Sequence, residues 1–148
     1  MRRTIFVAAL AAAAIAALPA FAAPPQTTTF SVVEQFSDPP TAGVFTSDGS
    51  IVCASGTTEN AAFGSGFQSE RGEIFHVRKT IICNDGSGTF TLLIQARIGF
   101  NVGNMTFGPW VVLSGTGDYV RLHGRGTVTG TQIPGGVSDL YVGWLALR

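Results

Sequence analysis

The stretch that most restricts the fold runs from Gly108 to Thr131, GPWVVLSGTGDYVRLHGRGTVTGT. Trp110 to Leu113 is apolar and β-branched, which suits a strand buried on both faces. Gly115, Gly117, Gly124, Gly126 and Gly130 follow. Glycine inside a strand marks a bulge, a sharp bend or a close backbone approach. The segment therefore reads as strand, corner, strand. Within the corner, Tyr119 and Leu122 stand about one helical turn apart. A short 3₁₀ or α turn there would point both inward and plug one end of a barrel. Asp118 occupies the place of a helix N-cap. Gly115-Thr116-Gly117 is no phosphate cradle, because Val120 stands where a third glycine belongs and no Lys follows.

The rest of the chain alternates in the same way. Phe30, Val32, Glu34 and Phe36 share one face of a first strand, which Pro39-Pro40 ends. A short strand is expected over Gly43 to Thr46, an Asp48-Gly49 turn after it, and a strand over Ser50 to Thr58. Glu59 to Gln68 is rich in glycine and alanine and reads as a loop or a poor strand edge. Glu73 to Asn84 puts Phe75, Val77, Lys79, Ile81 and Cys83 on one face. Asp85-Gly86-Ser87-Gly88 is a hairpin turn. Thr89 to Phe100 then alternates Phe90, Leu92, Ile94, Ala96, Ile98 and Phe100 against Thr91, Gln95 and Arg97. Asn101 to Phe107 reads as a loop, with Asn104-Met105-Thr106 matching the N-glycosylation pattern. Ile133 to Gly136 is a turn, and Leu140 to Leu147 closes the sheet. Strands at regular spacing, with no long amphipathic helix among them, give an all-β domain, a barrel or a sandwich.

The corner Gly115-Thr116-Gly117-Asp118-Tyr119, with the strand resuming at Gly124, resembles that of the allene oxide cyclase/dirigent β-barrel superfamily. The chain is more similar still to bacterial secreted members of that class to which no function is assigned. The likeness extends loosely from about Lys79 to Gly143. It implies a small antiparallel β-barrel of about eight strands with a cavity in its lumen. It carries no activity over, since none of the plant enzymes' catalytic positions can be matched to residues here.

The N-terminus has the make-up of a targeting signal. Arg2 and Arg3 precede an apolar run, Ile5 to Leu18, and Ala20-Phe21-Ala22 fits the small-residue cleavage rule. The run is shorter than the ~20 residues a spanning helix needs, so a cleaved peptide, residues 1–22, is expected rather than an anchor. Residues 23–29 read as a flexible lead-in, and 30–148 as one barrel domain, secreted or periplasmic. Taking Arg2 and Arg3 from nine basic residues leaves seven against nine Asp/Glu, a formal charge of −2. No basic stripe suggests a nucleic-acid partner, no mature segment suggests a membrane partner, and no pattern sets an oligomeric state. An even count of two cysteines, Cys53 and Cys83, in an exported chain points to a disulfide.

Chemistry-bearing clusters are sparse. His76 and His123 are the two histidines, too few for a zinc site; they read as a strand residue and a turn residue. No metal, no cofactor and no G-x-S-x-G elbow is indicated. Parity supplies the sharper observation, because Glu34 and Lys79 each fall on the apolar face of a strand. A charge so placed must be paired or face water. A bulge that turns Lys79 outward, or a snorkelling stem, would also reconcile it. If both point inward, they form a polar floor in an apolar cavity, as ligand sites are built, with Tyr119 a candidate neighbour at the barrel end. Glu34, Lys79 and Tyr119 are thus the candidate ligand-binding residues, and a small hydrophobic molecule or a protein the candidate partner. Three functions fit: a non-catalytic binding barrel, an enzyme or stereochemical guide acting on a hydrophobic molecule, and a structural protein with a filled core.

Overall fold

A computed structural model of the chain describes residues 24–36, 43–69, 72–99 and 105–148. The expected signal peptide, Pro39-Pro40 and Asn104 lie outside them. The strands are β1 (Gln26–Gln35), β2 (Gly43–Ser47), β3 (Ser55–Ser69), β4 (Gly72–Cys83), β5 (Thr89–Gly99), β6 (Met105–Gly115), β7 (Leu122–Ile133) and β8 (Gly136–Leu147). Each pairs antiparallel with the next, and β8 returns to β1 along Gln26↔Leu145 to Gln35↔Gly136. The result is a closed eight-stranded barrel, and closure removes the liability of an unpaired strand edge.

Several boundaries differ from expectation, each for a physical reason. β1 starts at Gln26, inside the expected lead-in, because β8 is long enough to pair with it. Ser50 to Ala54 is not strand; β3 begins at Ser55. Glu59 to Gln68 is strand rather than loop. It pairs with β4 through Asn60↔Lys79, Phe63↔Val77 and Ser65↔Phe75, with irregularities at Asn60/Ala62 and Ser65/Gln68. A strong partner strand overrides weak local propensity. β6 is buried on one face, not two: Trp110 points inward, whereas Val111 and Leu113 are 40% and 46% exposed. β6 also reaches back to Met105, into the expected loop, and His123 lies within β7.

The barrel's two ends are unlike. One end gathers Cys53, Cys83, the Asp85–Gly88 hairpin and the corner after β6. The corner holds a 3₁₀ turn, Gly117–Tyr119, with Tyr119 and Leu122 buried as expected. Its N-cap is Thr116 without a side-chain cap bond, and Asp118 lies inside the turn. Thr116 instead binds the neighbouring hairpin: its N donates to Thr89 O at 2.8 Å, and its Oγ1 accepts from Thr89 N at 3.0 Å. Tyr119 Oη accepts from Cys53 N at 2.9 Å and lies 2.8 Å from Ser87 Oγ. Cys53 and Cys83 are disulfide-bonded across 30 residues, a closure that stabilises by about 3–4 kcal/mol on the chain-entropy model.

Aromatic rings fill the barrel from this plug to its middle. Tyr119 meets Phe90 edge-on, Phe90 meets Phe45, Phe45 meets Phe30, and Phe30 stacks on Tyr141 at 4.7 Å between centroids. Trp110 completes the column beside Phe30 and Tyr141. Its ring lies where a Cβ on Gly126 or Gly143 would stand. Two glycines therefore serve as space for one indole.

Gly117 is the corner residue whose backbone demands glycine. Its φ is +58°, and an added Cβ would strike Ser87 O. Gly86 has a similar φ of +76° with nothing near its Cβ position. Gly86→Ala should therefore cost about 1 kcal/mol from the backbone alone, and Gly117→Ala distinctly more, as measured by denaturant unfolding. Equal losses would show that the plug does not hold Gly117 against the hairpin.

Candidate functional site

The other end of the barrel is lined by smaller side chains. Val77, Ala96, Val128, Val137 and Thr106 face the lumen where the plugged half has rings. They leave a cavity of about 300 Å³, with Phe36, Phe75, Ile94 and Ile98 also on its walls. Its polar lining is Glu34, Asn60, Glu73, Lys79 and Asp139. The barrel is thus filled in one half and hollow in the other.

Strand parity brings these charges inward as expected. Glu34 follows Phe30 and Val32 on the inner face of β1, and Lys79 lies between Val77 and Ile81 on that of β4. Glu34 is 6% and Lys79 2% exposed. No bulge turns Lys79 outward. The irregularity is in the partner strand, at Asn60/Ala62, where Asn60 pairs with Lys79. Lys79 Nζ donates to Glu34 Oε1 at 2.5 Å and stands 3.7 Å from Asp139 Oδ2. Thr58 Oγ1 donates to Glu34 Oε1 at 3.1 Å, and Asn60 Nδ2 reaches both Glu34 oxygens at 3.3 Å. Tyr141 Oη donates to Asp139 Oδ2 at 3.3 Å.

Among the described residues, two buried side-chain atoms of this end have no hydrogen-bond partner: Asp139 Oδ1 and Asn60 Oδ1, both acceptors. Burial pushes the Asp139 carboxyl above its ordinary value; Lys79 opposes this, while Glu34 adds to it. Burial, then the charges of Asp139 and Glu34, push the Tyr141 hydroxyl well above its usual value. Tyr141 therefore stays a donor at ordinary pH. The floor is a closely bonded ion pair with a second, less well-served carboxyl beside it.

Tyr119 does not join this group. Its hydroxyl bonds Cys53 and Ser87 at the plugged end, so it is a packing residue there and not a neighbour of Glu34. Thr58, Asn60 and Asp139 belong to the site; Asn60 and Asp139 escape a reading that makes Glu59 to Gln68 a loop or a poor strand edge and begins the last strand at Leu140. The alternation Val137, Asp139, Tyr141, Gly143, Leu145 is the sequence signal for Asp139. Among the described residues, no group of three or more His, Cys, Asp and Glu side chains could hold a metal ion. A second depression, on the outer wall, is lined by Leu93, Gln95, Val111, Arg125 and Trp144 among others. Its lining has a single charged side chain, Arg125.

No protein-family model matches this chain, and no curated protein matches it in sequence. The chemistry of the cavity is therefore read from its own residues.

Lys79→Met should destabilise the fold by about 3–5 kcal/mol, because it leaves Glu34 and Asp139 buried without their counter-charge. Glu34→Gln added to it should recover part of that loss in a double-mutant cycle. Additive losses in chemical denaturation would mean that the pair is not coupled.

Asp139 gives a pH dependence of definite sign. Its folded pKa is raised, so the folded chain holds its proton more tightly than the unfolded one. The stabilisation is fully present below the ordinary carboxylate pKa and is lost as pH rises through the raised value. Asp139→Asn, which mimics the protonated form, should remove that slope from unfolding free energy plotted against pH. A variant with the wild-type slope would place the titration elsewhere.

Proposed function

We propose that this chain is an exported binding barrel of the allene oxide cyclase/dirigent class that holds a small hydrophobic molecule in the hollow half of its lumen. The observation that carries the reading is a buried, hydrogen-bonded charge cluster at the floor of an apolar cavity. Apolar walls supply affinity and a few fixed polar groups supply orientation, which is the usual construction of a small-molecule site. A cavity of about 300 Å³ lies at the lower end of the range for such sites. A barrel serving only as structure would gain by filling it, since empty volume costs stability.

Export is supported by Arg2, Arg3, the Ile5 to Leu18 run and the Ala20-Phe21-Ala22 motif. The Cys53–Cys83 disulfide is of the kind that oxidising compartments maintain. Among the described residues, no helix is long and apolar enough to cross a membrane. The proposed family membership rests on the Gly115 to Tyr119 corner and on the closed eight-stranded topology. Glu34 is held as a fixed polar anchor rather than as a base, because it accepts from Thr58, Asn60 and Lys79 together. A general base needs a lone pair within reach of the proton it takes.

The test uses N-phenyl-1-naphthylamine, a neutral apolar dye whose fluorescence rises on leaving water. The folded chain should bind it at one saturable site. Ala96→Phe, which fills the cavity from β5, and Ile98→Trp, nearer its mouth, should each weaken binding by about tenfold or more. Val111→Ser on the outer wall should not. Equal binding by all these variants would place the dye outside the lumen and overturn the reading.

A further inference from the structure

The cavity is asymmetric in charge. Among the described residues, its floor holds two carboxylates, Glu34 and Asp139, against one ammonium, Lys79. Lys79 is bonded to Glu34, and its distance to Asp139 is 3.7 Å, beyond a hydrogen bond. The buried side-chain atoms left without partners at this end are both acceptors, Asp139 Oδ1 and Asn60 Oδ1. Asp139 is 8% exposed, so water reaches it poorly. Among the described residues, the floor is thus short of hydrogen-bond donors and of positive charge. From this geometry we infer that the ligand is a cationic amphiphile, a primary amine on a short apolar body, whose ammonium group docks at Asp139 beside Asn60.

The inference rests on the proposed binding of a small molecule in the lumen and adds its charge class. An ammonium supplies three donors and the missing charge in one group. Its apolar body would lie along Val77, Ala96 and Val128. A neutral alcohol would satisfy an acceptor but leave the charge unbalanced. A carboxylate would meet Glu34 and Asp139 and be repelled. An alternative is open to the protein when empty: Asp139 takes up a proton, in keeping with its raised pKa. Ligand cation and proton then compete for one carboxylate, so binding releases a proton.

The groups facing Asp139 are few. From β1 comes Glu34, from β4 Lys79, and from β8 Tyr141. From β7 and β6 come Gly130 and Thr106, neither of which titrates. Glu73 lines the same cavity on β4. With Glu34 and Lys79 held in their pair, Asp139 is the group whose protonation the ligand displaces.

The experiment compares n-octylammonium, n-octanol and n-octanoate, which share one chain and differ in the head group. Each is titrated calorimetrically into the full mature chain, at mildly alkaline and at acid pH. At alkaline pH the ammonium should bind at least about tenfold tighter than the alcohol, and the octanoate weakest. The ammonium's advantage should shrink in acid, where Asp139 is protonated. Repeating the titration in buffers of different ionisation enthalpy should show proton release on ammonium binding, a readout that needs no variant. Asp139→Asn should lose the preference for ammonium over octanol. Octanol binding as tightly as the ammonium, or octanoate binding tightest, would overturn the charge class while leaving the lumen as the site. Failure of all three to bind would overturn both.

Discussion

Lys79 sits in an apolar tube with almost no access to water, and the hollow half of the barrel is arranged around that fact. An unpaired ammonium there would cost several kcal/mol. Glu34 answers it from the end of β1, and Thr58 and Asn60 answer the lone pairs of Glu34 that Lys79 leaves over. Even the glycines conform. A Cβ on Gly43 would collide with Glu34 and Thr58, and one on Gly130 with Asp139. Two positions opposite the carboxylates thus carry no side chain. A buried ion pair seldom stabilises more than well-packed apolar residues of similar volume. Its place at the level where the lumen opens out is what the proposed binding role draws on.

The filled half has the opposite logic. Rings from β1, β2, β5, β6 and β8 pack in sequence from the plug to Tyr141. The Cys53–Cys83 bond, the hairpin and the 3₁₀ turn fasten that end through bonds to Thr116 and Tyr119. A site gains accuracy when the elements that carry it are rigid. Here the strands that present Glu34, Lys79 and Asp139 are anchored at their far ends in the packed half.

Alternation alone makes much of this legible in the sequence. Inward and outward faces follow from a period of two, so Glu34 and Lys79 are recognisable as inward charges from their apolar neighbours. The plug is legible from the spacing of Tyr119 and Leu122. Height along the barrel is not, because parity fixes the face of a strand and says nothing of register with strands distant in sequence. Tyr119 and Glu34 both point inward, yet they occupy opposite ends. Asn60 is obscured for another reason. Its segment is glycine- and alanine-rich, with little strand propensity of its own, and becomes strand by pairing with β4. Asp139 is hidden by a boundary: the apolar run that marks the last strand starts at Leu140, whereas β8 starts at Gly136.

Tyr141 joins the two halves in a single side chain. Its ring is stacked on Phe30 in the filled half, and its hydroxyl donates to Asp139 in the hollow half. A phenol is suited to such a boundary because its body is apolar and its tip is polar. Burial keeps that hydroxyl protonated, so it donates here, and Asp139 Oδ2 is the atom that receives. One oxygen of Asp139 is thereby committed to the scaffold while the other is left without a partner among the described residues. The fold holds Asp139 in place through Oδ2 and turns Oδ1 to no donor among the described residues, the feature on which the proposed recognition of a cation rests.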